Sequence, residues 1–117
     1  MQRFPFVAGV QVTALDTGAH LAAHTEDLSL FGCFVETTTP FAEGTKVGLR
    51  ISHGGEIFAA EGGVVFSRDG AGMGILFTLI EPSSTSILDD WLTEAAESSM
   101  PDEPPLSSSV QRGLKFN

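Results

Sequence analysis

Three groups of side chains in this 117-residue chain are of types that do chemistry: the histidines His20, His24 and His53, the lone Cys33, and the run Asp27-Leu28-Ser29-Leu30-Phe31-Gly32. The histidines lack the paired spacing of a zinc site. His20 and His24 stand four apart in a strand-like segment, so they share a face and read as a solvent-facing pair. Cys33, between Gly32 and Phe34 in an apolar stretch, reads as a buried, inert thiol rather than a nucleophile. The glycines do not fall between a strand and a helix, which removes the dinucleotide and P-loop fingerprints. No enzyme, metal ion or cofactor is expected.

The Asp27–Gly32 run is different because it puts a carboxylate, a hydroxyl and a glycine at spacings two and three. In an extended segment Asp27 and Ser29 point to the same side, so an acceptor and a donor can reach one ligand together. Gly32 permits close backbone approach or positive φ. A turn capped by Asp and Ser has the same pattern, so a ligand loop and a structural turn both remain open on these residues alone.

The elements that must position this run are short and β-rich. Phe6 to Leu15 carries β-branched residues and closes in Asp16-Thr17-Gly18, a first hairpin whose returning strand is His20 to His24. Leu28 to Thr37 is apolar with a glycine inside it. Lys46 to Ile51 alternates with period two, His53-Gly54-Gly55 turns the chain, Ile57 to Phe66 is a long strand broken at Glu61-Gly62-Gly63, and Met73 to Leu79 follows the Arg68-Asp69-Gly70 turn. Six or seven short strands joined by glycine turns predict a mainly β fold, an antiparallel barrel or sandwich.

After Pro82, Ser83-Ser84-Thr85 offers helix caps, and Ile87, Leu88, Trp91, Leu92 and Ala95 fall on one stripe of a helix expected over about 83–97. Asp89, Asp90, Glu94 and Glu97 occupy its other side and read as a solvated face. Residues 1–97 thus make one domain. Residues 98–117, with Pro101, Pro104, Pro105 and Ser107-Ser108-Ser109, hold too little apolar surface to offset the entropy of ordering and are expected to be a disordered tail. Leu114-Lys115-Phe116 near its end is the one stretch of the tail with the composition of a docking segment.

Fifteen acidic residues against six basic ones give a net charge of −9, which argues against DNA or RNA as a partner. Residues 81–117 carry seven of the acids and two of the bases, so the C-terminal third is the more acidic for its length. A lone cysteine and no secretory leader pattern point to the cytoplasm, and no apolar run approaches the roughly 20 residues of a membrane span.

Taken with Phe34-Val35-Glu36, Pro40, Gly44 to Ile51, Gly63 to Phe66 and Gly72 to Phe77, the Asp27-x-Ser29-x-x-Gly32 run resembles the PilZ family of cyclic di-GMP receptor domains over roughly Arg3 to Leu79. The resemblance implies a six-stranded antiparallel β-barrel with a C-terminal α-helix at one end. It further implies a ligand site of Arg3, Asp27, Ser29 and Gly32, with Asp27 and Ser29 at a guanine and Gly32 shaping the loop. The family's N-terminal Arg-x-x-x-Arg is incomplete. Arg3 takes the place of its second arginine, the first lying ahead of where the chain begins; taken as the first, its partner would fall on Val7. Arg50 and Arg68 are the other arginines that could supply charge.

Two functions are therefore expected to compete. One is an effector that binds cyclic di-GMP and passes the signal to a partner protein; the other is a degenerate domain that binds no dinucleotide and acts as a protein-interaction adaptor.

Overall fold

The computed structural model describes residues 3–99, with side chains through residue 97. Seven strands run in the order β1 (Phe4–Pro5), β2 (Gly9–Ala14), β3 (His20–Leu28), β4 (Gly32–Glu36), β5 (Lys46–His53), β6 (Glu56–Arg68) and β7 (Gly72–Ile80), followed by one 3-10 turn (Pro82–Ser84) and helix α1 (Thr85–Ser99). All pairings are antiparallel. The spatial order β3-β2-β5-β6-β7-β4 closes on itself because β4 also pairs with β3, giving a six-stranded barrel. The two-residue β1 adds to the same edge of β3 that β2 leaves after His24, with Phe4 opposite Leu28 and Pro5 opposite Asp27.

Alternation builds the barrel's interior. Val10, Val12 and Ala14 of β2 and Val47, Leu49 and Ile51 of β5 point inward and are buried, while Gln11 and Arg50 between them face out. Positive φ at Gly18 (79°) and at Gly54 and Gly55 (61° and 82°) supplies the tight turns that join β2 to β3 and β5 to β6, a conformation open to glycine at little cost.

The expected break at Glu61-Gly62-Gly63 is not there. β6 is one 13-residue strand whose register with β7 slips between Glu61 and Gly62 and again between Val64 and Phe66. A Cβ on Gly62 would run into the Leu76 carbonyl oxygen, so the glycine lets two backbones approach as β6 bends around the barrel. The returning strand expected to stop at His24 also continues, to Leu28, because β1 and β4 both pair with its far end.

Helix α1 lies over one end of the barrel. Trp91, 2% exposed, stacks on Phe6 at 5.4 Å between ring centroids and meets Phe58 at 6.2 Å, with Leu88, Leu92 and Ala95 buried beside it. Its apolar stripe thus closes its own barrel. Asp89, Asp90, Glu94 and Glu97 are exposed, and the Glu94 carboxylate lies 3.2 Å from His53 Nε2. Ser84, placed among the helix caps by sequence, instead accepts a hydrogen bond from the Ala59 N–H of β6 at 2.9 Å, so the turn before the helix is tied to the barrel wall. The expectation for the tail falls, from residue 100 onward, outside the described residues.

Candidate functional site

The Asp27–Gly32 run is not one extended segment. A bulge on β3 between Thr25 and Asp27 inserts an extra residue, so Glu26 and Asp27 both lie on the outside before Leu28 turns inward, fully buried. Ser29 to Gly32 then forms a tight turn into β4, closed by a 2.9 Å bond from the Ser29 N–H to the Gly32 carbonyl. Asp27 and Ser29 consequently do not present a shared face.

Each of the three residues has a separate local task. Ser29 is fully buried; its Oγ accepts from the N–H groups of Phe31 and Gly32, both at 3.1 Å. Gly32 packs so tightly against β7 that a Cβ there would collide with the Ile75 carbonyl oxygen. Asp27 is the outward member. Its Oδ1 accepts from the Phe34 N–H at 3.1 Å and from Arg3 at 2.6 Å, and Oδ2 holds no bond among the described residues. Arg3 is brought there by β1, which pairs with β3 directly beside it. The side chains of this ion pair remain 36% and 29% exposed, so water and ligands can reach it.

Arg50 and Arg68 take no part in this cluster. Arg50 sits on β5, with β2 between it and β3, and Arg68 ends β6, with both β7 and β4 between it and β3. The histidines do not converge either: His20 and His24 are exposed on β3, while His53 packs on Phe6 and Trp91. Among the described residues no three His, Cys, Asp or Glu side chains gather as metal ligands would.

One feature beside Asp27 was not singled out from the sequence. Phe34, opposite Asp27 in register, stacks at 5.7 Å on Phe66, whose ring lies across Gly74 between them. Their contact bridges three strands, and only the register of β4, β7 and β6 reveals it. Behind the site is Cys33, fully buried, with its thiol pKa pushed up from 9.0 to about 12. Burial is the main cause, the Asp27 charge adds to it and Arg3 opposes it.

The chain is thus a closed six-stranded barrel capped by one helix, with the Arg3–Asp27 ion pair outside it beside the β3–β4 turn. A family model for the PilZ domain matches residues 2–94, and the chain belongs to that family. It is similar in structure to the inhibitor of motility MotI/DgrA of Bacillus subtilis (TM-score 0.64, 16% identity), covering 81% of this chain and 49% of that one. The chain therefore spans about half the length of that relative. It is likewise similar to the PilZ domain of CeSA from a cellulose-synthesizing bacterium (TM-score 0.62, 24% identity, 83% and 99% of the two chains). A third similar structure is the PilZ domain of YcgR from Escherichia coli with c-di-GMP (TM-score 0.62, 20% identity, 84% and 94%). A search of the curated proteins finds no match. As a PilZ domain the chain is a signalling module without catalytic activity.

Proposed function

We propose that this domain binds cyclic di-GMP at the rim formed by Arg3 and the β3–β4 turn, and relays its level to a partner protein. The observation that carries this reading is the Arg3–Asp27 pair: an outward carboxylate on β3 and an arginine just ahead of β1, 2.6 Å apart, over a turn made rigid by Ser29 and Gly32. A carboxylate accepts two parallel bonds from the N1–H and N2–H of guanine, and an arginine grips phosphate. Both partners are present, each holding the other. Binding exchanges the ion pair for two ligand contacts: Asp27 turns to the base and Arg3 to the phosphate. Ser29 and Gly32 act through the shape of the turn, and the Phe34–Phe66 pair offers an apolar floor for a planar base.

The relay follows from the same geometry. Phe6, directly after β1, stacks on Trp91 of α1. Moving Arg3 therefore pulls on the strand that ends in the helix's docking ring, and a ligand that prefers one position of β1 shifts the helix as well. With its buried thiol, the module suits the reducing cytoplasm.

Calorimetric titration with cyclic di-GMP tests the reading. Saturable binding weakened about 10–100-fold by Arg3→Ala is expected, since a charge-assisted hydrogen bond contributes about 1.5–3 kcal/mol. Asp27→Asn, which keeps an acceptor and a similar shape, should weaken it too. A flat titration at millimolar ligand with an unmoved melting temperature sinks the receptor reading. The adaptor reading would then stand, and one observation favours it: Leu30 and Phe31, at the tip of the turn, are 55% and 54% exposed, as apolar anchors for a protein would be.

A further inference from the structure

Between β1, the β3–β4 turn and helix α1 runs an apolar cleft of about 320 Å³, lined by Phe4, Leu30, Phe31, Leu92, Thr93 and Ala96, with Asp89 at its edge. Its apolar walls have no occupant among the described residues, and the chain has a segment within reach. α1 ends at Ser99, three residues past Ala96, and 18 more residues follow. We infer that the C-terminal segment Arg112-Gly113-Leu114-Lys115-Phe116 folds back and docks in this cleft.

Position, length and charge support that occupant over others. In an extended segment Arg112, Leu114 and Phe116 share one face, presenting a cation and two apolar groups together. The cleft offers the complement: Phe31, Leu30 and Leu92 for the apolar pair, and Asp89, with Glu97 further along the same helix stripe, for the arginine. Arg112 and Lys115 are the only bases after Arg68, whereas the helix carries Asp89, Asp90, Glu94 and Glu97 and no base. Residues 100–111 make a tether whose root-mean-square span is roughly 20 Å, enough to return over the last two turns of α1. Such tethering sets an effective concentration of order ~1 mM, so even weak intrinsic affinity fills the cleft. The cleft shares Phe4, Leu30 and Phe31 with the rim around Arg3 and Asp27.

A paramagnetic probe on the full chain tests the docking without nucleotide, so its outcome is independent of whether cyclic di-GMP binds. Cys33 is buried, so a nitroxide reagent goes to an Asn117→Cys variant at the new thiol alone. Amide signals of Leu30, Phe31, Thr93 and Ala96 should lose half or more of their intensity, while those of the Gly18 and Gly70 turns, at the other end of the barrel, keep theirs. Adding Leu114→Ser and Phe116→Ser should restore the intensity. Equal or absent loss at the two sets of amides overturns the proposal. So does loss confined to mixtures of isotope-labelled and spin-labelled chains, which would make the occupant a second copy.

Discussion

Ser29 and Arg3 stand on either side of Asp27, one in the turn after it and the other bonded to it, yet their burial separates what they contribute to the free protein. Ser29 Oγ satisfies two backbone N–H groups inside a buried turn, so Ser29→Ala leaves donors without a partner and should cost about 1–3 kcal/mol of stability in chemical denaturation. Arg3→Ala removes a half-exposed ion pair and should cost no more than about 0.2–1 kcal/mol. A ligand-binding defect in the serine variant must therefore be read beside its stability, whereas the arginine variant reports on binding directly. Cys33 adds a pH dependence. Its pKa is raised from 9.0 to about 12 on folding, so the neutral thiol favours the native state fully below pH 9 and that contribution fades as pH rises toward 12. Alkaline unfolding followed between pH 9 and 12 should show the loss, and Cys33→Ala should flatten it. The residue types of the motif were readable from spacing alone. Their division of labour was not, because the bulge that turns Asp27 outward depends on how β4 registers against β3, which no local pattern encodes.

Among the elements, α1 was legible because a period of 3.6 survives in one sequence stretch, from Ile87 to Ala95. Its docking partners Phe6, His53 and Phe58 come from the β1–β2 link, β5 and β6 and were not. Trp91→Ala should therefore cost about 3–5 kcal/mol, the range for emptying a buried aromatic site. The loss should appear first as weakened amide protection in α1 and in β1, because Phe6 loses its stacking partner together with the helix. Equal loosening of β5 and β6 would contradict that coupling. In β6 the glycines were misread as a break. Gly62 is a point of close approach to β7, so Gly62→Ala should destabilise by about 1–3 kcal/mol through backbone displacement, without dividing the strand.

At the level of the whole molecule, closing the sheet satisfies the backbone groups that an open sheet would leave along two edges. One stretch is the exception. β3 parts from β2 after His24, and the four residues beyond would face water on that side were it not for the Thr25 N–H bonded to Ala8, the Phe6 N–H bonded to Glu26, and the two-residue β1. The barrel thus has a seam, and the seal over it is the segment that carries Arg3. On the receptor reading, the arginine that has to move stands just ahead of a two-residue strand and not within a deeply woven one. So short a seal can lift while the six strands of the closed barrel keep every pairing of their own.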